Sequence, residues 1–87
     1  MNKVIWTTKA AKNLLKIDSR YYAMIKEKTE ELANFPDVAL DLKKLKGTKS
    51  GYRLRVGNYR ILFDVIDGVP VVIEIKAVMK RSERTYN

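Results

Sequence analysis

Residues 51–63, GYRLRVGNYRILF, constrain the fold of this chain more than any other segment. Apolar and polar side chains alternate on both sides of Gly57-Asn58, a dipeptide typical of two-residue β-hairpin turns. Such a turn pairs Leu54 with Ile61 on one face, because side chains on a strand alternate between faces. We therefore predict an antiparallel hairpin with an apolar face that belongs to the core.

The opposite face of this hairpin carries three arginines. The same register puts Arg55 directly opposite Arg60, with Arg53 two residues along its strand. Like charges directly opposite each other destabilise a sheet by roughly 0.2–1 kcal/mol, and the hairpin contains no acidic residue before Asp64. Guanidinium groups suit phosphate, since each is planar and can donate two hydrogen bonds at once. We predict an anion-binding face. The alternative is that the arginines point into solvent or pair with one of three acids, Asp64, Glu74 and Glu83.

Two helices are predicted after a short N-terminal strand, KVIW at residues 3–6. In the first helix, Ala11, Leu14 and Leu15 share one face, which we expect to be buried. In the second helix, over residues 20–34, apolar side chains recur at spacings of three and four residues until a Phe-Pro pair ends it. A short break between them makes a helical hairpin.

Three further strands are predicted at residues 51–56, 59–67 and 70–79. A basic connection, residues 36–50, joins them to the helices. No repeat, linker or change in composition divides the chain, so we expect a single domain over residues 1–87. The predicted fold class is α+β: a short N-terminal strand, a helical hairpin and a three-stranded antiparallel meander, with the helices packed on one mostly antiparallel sheet.

Positive charge is concentrated in part of the chain. The formal net charge is +8; residues 43–60 contain seven cations and no acid, whereas residues 18–41 contain six acids and three bases. This distribution indicates a polyanionic partner, and the alternative is a solvated basic face. The sequence has neither cysteine nor histidine, which removes thiolate and imidazole ligands and the usual acid–base group at neutral pH. We therefore expect no metal and no other cofactor.

The sequence also predicts where the protein acts. Its N-terminus lacks the apolar stretch of a signal peptide, and its most apolar run, VPVVIEI, is far shorter than the ~20 residues that a membrane helix needs. A chain without cysteine fits a reducing compartment. We expect a soluble, cytoplasmic protein that makes no membrane contact.

LKGTKSGYRLRVGNYRILFDVIDG, followed by a last strand and KRSERTY, resembles the RelE branch of the RelE/ParE toxin superfamily. The resemblance covers the whole chain. It implies a type II toxin, a ribosome-dependent endoribonuclease that cuts mRNA in the decoding site, neutralised by a co-expressed antitoxin. Such an antitoxin should cover the basic face with an acidic segment that folds on binding.

The resemblance also implies the site residues. Two functional lysines on the family's first hairpin strand match Arg53 and Arg55, which are arginines here, and the arginine that begins the next strand matches Arg60. Beyond the last strand, Arg81 or Arg84 matches a further functional arginine. The terminal tyrosine of the family matches Tyr86.

Cleavage of RNA by its own 2′-hydroxyl needs a base, an acid and stabilisation of the charge that develops on the phosphoryl group. We assign that stabilisation to Arg55, Arg60 and Arg81, with Arg53 holding the RNA backbone. Arginine is a poor base because its pKa lies above about 12. The base therefore remains open between Tyr86, a lysine of the basic connection (Lys44 or Lys46) and the ribosome.

The other cations are expected to contact phosphates of RNA in the ribosome: Lys43, Lys44, Lys46, Lys49, Lys80 and Arg84. Two other functions remain open. A ParE-like inhibitor of DNA gyrase acts by binding a protein and needs no arginine cluster around a phosphate. A basic nucleic-acid-binding module without catalysis would also explain the charge.

Overall fold

The computed structural model describes residues 1–80, which form one mixed sheet with helices packed against it. The elements in chain order are β1 (Lys3–Trp6), α1 (Thr8–Leu15), α2 (Ser19–Glu30), a 3₁₀ helix (Glu31–Asn34), β2 (Leu42–Lys44), β3 (Gly51–Val56), β4 (Tyr59–Ile66) and β5 (Val72–Lys80). The strand order in the sheet is β1-β5-β4-β3-β2. Only the β1–β5 pair is parallel within this sheet. The predicted α+β class is confirmed.

The β3–β4 hairpin has the register that its sequence predicts. Leu54 pairs with Ile61, both fully buried, and the strands join at Gly57-Asn58. Gly57 has φ 58°, a left-handed conformation that glycine adopts without the clash a Cβ would introduce. Because the turn fixes the register, it also decides which side chains face the core and which face away.

One face of the sheet carries the core. Leu54, Ile61, Phe63 and the β5 residues Ile73 and Ile75 are buried there against apolar side chains of the helices. Side chains that alternate with these on β3 and β4 lie on the other face, which we call the open face. The open face carries the hairpin arginines together with a few apolar residues, among them Leu62 and Met79.

Aromatic rings fill the core beside the start of β3. The rings of Tyr52 and Phe63 stack with centroids 5.5 Å apart, and Phe35 meets Tyr52 edge-on at 5.1 Å. Such pairs add about 0.5–1.5 kcal/mol beyond the area they bury. They anchor the strand that carries Arg53 and Arg55.

The buried face of α1 differs from the prediction. Ala10 and Leu14 are buried, whereas Leu15 is 74% exposed and Ala11 is also exposed. Ala10, Leu14 and Ile17 are spaced by four and three residues, and it is this stripe that packs against the core. The expected face of Ala11, Leu14 and Leu15 was therefore wrong by about one residue.

The basic connection contains a strand that the sequence analysis missed. β2 is an antiparallel edge strand, with Lys43 paired to Arg53 and Lys44 paired to Tyr52. The three-stranded meander is thus extended to four antiparallel strands. Leu40 and Leu42, on either side of Asp41, both pack against the core, and their alternation with charged residues was the available signal. Among residues 1–80, no helix has the length and apolar character needed to cross a membrane.

Candidate functional site

The three hairpin arginines share the open face. Arg55 pairs directly with Arg60 across the hairpin, and Arg53 pairs with Leu62 two residues further from the turn. Each of them alternates with a buried residue of the core face, so the pleat of the sheet holds all three on the opposite side. The structure thus brings together the three arginines that the sequence singles out in the hairpin.

Asp41 pairs with two of these arginines. Its Oδ1 lies 3.1 Å from Nη2 of Arg53, and its Oδ2 lies 3.4 Å from Nε of Arg55. The sequence analysis found no acid to offset the repulsion within the hairpin and expected any pairing to involve other acids. Among the described residues the partner of Arg53 and Arg55 is instead Asp41, because β2 brings it alongside β3. Asp41 is the functional candidate that sequence reasoning missed.

Two of the three expected acid partners lie elsewhere on the open face, and the third, Glu83, lies outside the described residues. Asp64 and Glu74 are paired in the β4–β5 register, and Nζ of Lys76 lies 3.9 Å from Asp64 and 3.5 Å from Glu74. Neither acid forms an ion pair with a hairpin arginine in the part of the chain that the structure describes. The open face is therefore cationic at the turn end of the hairpin and acidic at the other end.

Arg60 differs from its two neighbours. It is half-buried, and no carboxylate within residues 1–80 lies within 4 Å of its guanidinium group. Asp41 compensates only part of the charge of the three arginines, so the cluster keeps a net positive charge. A net positive group of guanidinium donors on a sheet face can bind a phosphodiester.

The lysines of the basic connection divide between the two faces. Lys43 shares the open face with Arg53, its partner in the register. Lys44 points the other way: its Nζ donates to the carbonyls of Thr48 at 3.1 Å and Lys49 at 2.9 Å, and it lies 5.1 Å from the centroid of the Tyr52 ring. Lys44 therefore holds the β2–β3 loop and does not reach the arginines as a base from this position.

The remaining predicted cations lie apart from the arginines or outside the described chain. Lys46 and Lys49 are exposed in the β2–β3 loop. Lys80 pairs with the core-facing Tyr59 and lines a cleft of about 260 Å³ on the helix side of the sheet. Three predicted site residues lie outside the described residues: Arg81, Arg84 and Tyr86. Within residues 1–80, no three acidic side chains are grouped closely enough to hold a metal ion.

Comparison with known proteins gives the family. A family model described as the ParE toxin of the type II toxin–antitoxin system, parDE, matches residues 4–85. The chain belongs to the RelE/ParE toxin superfamily. This toxin is 39% identical over 66 residues to Toxin RelE3 of Methanocaldococcus jannaschii, covering 72% of this chain and 75% of that protein.

Solved structures agree with this assignment. The toxin matches the isolated E. coli RelE toxin with a TM-score of 0.79 and 25% identity, over 98% of this chain and 89% of that one. It matches the RelB-RelE antitoxin–toxin complex of Methanococcus jannaschii with a TM-score of 0.72 and 30% identity, over 88% and 89% of the two chains. A RelE-RelB complex from Pyrococcus horikoshii gives a TM-score of 0.76 and 26% identity, over 94% and 97%. The predicted RelE-like fold is confirmed.

Proposed function

We propose that this toxin is a ribosome-dependent endoribonuclease that cuts mRNA within the decoding site. The observation that carries the proposal is the direct pairing of Arg55 with Arg60 on an open sheet face that keeps a net positive charge. A binding surface for a neutral or cationic partner would gain nothing from this repulsion. A scissile phosphodiester placed between the two guanidinium groups offsets it.

The proposed chemistry is attack by the neighbouring 2′-hydroxyl. The 2′-hydroxyl gives its proton to a base while its oxygen forms a bond to phosphorus, the bond from phosphorus to the 5′-oxygen breaks, and the leaving oxygen takes up a proton from the solvent or from a group of the ribosome. Negative charge on the phosphoryl oxygens increases in the transition state, where fixed cationic donors are most effective. We assign this stabilisation to Arg55, Arg60 and Arg81. The reaction as proposed needs no metal ion.

The proton acceptor is proposed from the candidates that the sequence left open, a lysine of the basic connection, Tyr86 and the ribosome. The contacts of Lys44 with the β2–β3 loop favour a structural role for it over that of a base. Tyr86 is our candidate, because neighbouring cations stabilise a phenolate and its ring can also stack on an RNA base. The ribosome can supply groups that the toxin lacks, which fits an enzyme that works mainly by orientation and charge stabilisation.

The RNA-binding surface is proposed to extend beyond the arginines. Lys43, on the open face, should contact a phosphate next to the site. Lys46, Lys49, Lys80 and Arg84 are proposed to contact ribosomal RNA less specifically. A ribosomal target implies action in the cytoplasm.

The proposed protein partner is a cognate antitoxin. Two of the matching solved structures, from Methanococcus jannaschii and Pyrococcus horikoshii, are complexes of RelE with RelB. For this toxin we propose a small antitoxin with an acidic segment that folds over the cationic end of the open face. Covering Arg55 and Arg60 would block access of RNA to the site.

The cellular test is induction of the toxin followed by primer-extension mapping of transcripts. Wild type should produce cuts within translated codons that disappear when translation is blocked. An Arg60→Ala variant at the same expression level should produce none. Wild-type induction without such cuts would refute the proposal.

A second candidate function is supported by the family model, which is that of the ParE toxin. A ParE-like toxin would inhibit DNA gyrase by binding it and would leave mRNA intact. Induction would then cause DNA damage that a resistant gyrase prevents, and Arg60→Ala would have little effect. Protein that binds RNA but does not cut it on translating ribosomes would instead indicate a binding module without catalysis.

A further inference from the structure

We propose that Asp41 is a positioning residue that aligns Arg55 for the phosphate and that Arg53 serves mainly to anchor Asp41. The inference rests on the proposed nuclease function for its catalytic consequence, although the alignment itself is a property of the free protein. It replaces the RNA-backbone contact that the sequence analysis assigned to Arg53 with a role inside the protein.

Arg53 is poorly placed to bind RNA directly. Its side chain is only 14% exposed, and its Nη2 donates a hydrogen bond to Oδ1 of Asp41 at 3.1 Å. Its Nε is buried and has no hydrogen-bond partner in the described part of the chain. Arg53 is therefore mostly buried, and one of its two terminal nitrogens is already engaged by Asp41.

Asp41 contacts Arg55 through both backbone and side chain. Its carbonyl accepts the backbone N–H of Arg55 at 3.0 Å, and its Oδ2 lies 3.4 Å from Nε of Arg55. The carboxylate therefore lies beside Nε of Arg55, away from the two terminal nitrogens of the guanidinium group. The terminal nitrogens of Arg55 can then bind a phosphate next to Arg60.

Electrostatics explains why this position needs an acid. Arg55 and Arg60 repel each other across the hairpin. Without a contact that holds it, the Arg55 side chain would adopt rotamers that place its guanidinium group further from Arg60. The carboxylate of Asp41, on the β2 side of Arg55, attracts Arg55 and so offsets its repulsion by Arg60 on the β4 side. Because a single carboxylate serves two arginines, the cluster stays cationic and still attracts RNA.

Asp64 provides a matched control. It lies on the same open face of the sheet, towards the far end of β4, where its ion-pair partner is Lys76 at 3.9 Å. Asp64→Asn and Asp41→Asn each remove one negative charge from the same face with the same change in shape. Only Asp41→Asn removes a contact to the hairpin arginines.

The first experiment measures arginine side-chain order in the purified full-length toxin by ¹⁵Nε relaxation. Wild type and Asp64→Asn should show a rigid Nε–H signal for Arg55, and Asp41→Asn a mobile one. Asp41→Glu should recover part of the order. Backbone amide spectra identify any variant that has not folded. An Arg55 signal equally rigid in folded Asp41→Asn would overturn the inference.

The second experiment measures single-turnover mRNA cleavage on programmed ribosomes. Asp41→Asn should lower the maximal rate by on the order of 10- to 100-fold, the size of effect expected when a catalytic group is misplaced. The toxin concentration that gives half the maximal rate should stay the same or fall, because the open face loses a negative charge and binds RNA at least as well. Asp64→Asn should keep the wild-type rate.

The two experiments distinguish failure of the role proposed for Asp41 from failure of the proposed nuclease function. If Asp41→Asn cuts as fast as wild type or faster, Asp41 does not position Arg55 for catalysis and the inference is wrong. If wild type itself fails to cut mRNA, the proposed function fails, and the relaxation data on Arg55 still decide whether Asp41 aligns it.

Discussion

Arg55 lies directly opposite Arg60 in the β3–β4 hairpin, on the face of the sheet that turns away from the core. The buried partners Leu54 and Ile61 hold the register that produces this pairing. A one-residue slip of either strand would turn the arginine of that strand towards the core, so the register is strongly specified. The same hydrophobic contacts that stabilise the fold therefore maintain two like charges in direct opposition.

Leu14 and Leu15 are neighbours in sequence with opposite environments, being 5% and 74% exposed. Leu14→Ala should lower the free energy of unfolding by about 2–5 kcal/mol, because it leaves a cavity between α1 and the sheet. Leu15→Ala should change it by less than about 0.5 kcal/mol. Urea unfolding of the two variants beside wild type tests this. Equal losses would show that the buried face of α1 is wrongly placed.

Asp18 caps α2 and should make stability depend on pH. A side-chain hydrogen bond from Arg20 is the main reason why the pKa of Asp18 falls from its usual 3.8 to about 2. Because the folded-state pKa is the lower one, the stabilisation is present above about pH 3.8 and is lost as the pH falls towards 2.

The matched variant for this prediction is Asp18→Asn, since asparagine is also a good N-cap residue. Wild type should be more stable than Asp18→Asn above pH 4, and the difference should shrink as acid is added. Thermal unfolding across this pH range measures it. A difference that does not vary with pH would exclude the Arg20 contact as the cause.

Lys43 lies next to Arg53 on the open face and should contribute to RNA affinity without contributing to chemistry. Lys43→Ala should weaken binding to single-stranded RNA of any sequence and reduce the slope of log K against log salt by about 0.7. The maximal cleavage rate should be unchanged. Lys28→Ala is a suitable control, because Lys28 lies on α2 beside Glu31. A similar loss in both variants would indicate a nonspecific charge effect.

The hairpin could be predicted from sequence because its signals are local. Gly57-Asn58 dictates a two-residue turn, and strict alternation around it assigns every side chain to a face. The face of α1 was harder to predict. In a helix of only eight residues, Ala10 and Ala11 offer two apolar stripes that differ by one position. Packing on the sheet decides between them.

Asp41 was missed for a different reason. β2 has only three residues, and its pairing with β3 is a tertiary contact that brings together residues 12 positions apart in sequence. Counting acids within the hairpin could not reveal an acid contributed by a neighbouring edge strand. The grouping of the basic residues can be read from the sequence, but the division of Lys43 and Lys44 between opposite faces depends on that same strand.

The central claim is that Arg60 stabilises the phosphoryl group during RNA cleavage. The most direct test is single-turnover cleavage of mRNA on purified programmed ribosomes by wild type, Arg60→Ala and the control Arg20→Ala. Arg20 contacts Asp18 and lies on α2, away from the open face. The account predicts that Arg60→Ala loses on the order of 10²–10³ in rate while Arg20→Ala cuts like wild type. Cleavage by folded Arg60→Ala at the wild-type rate would contradict it.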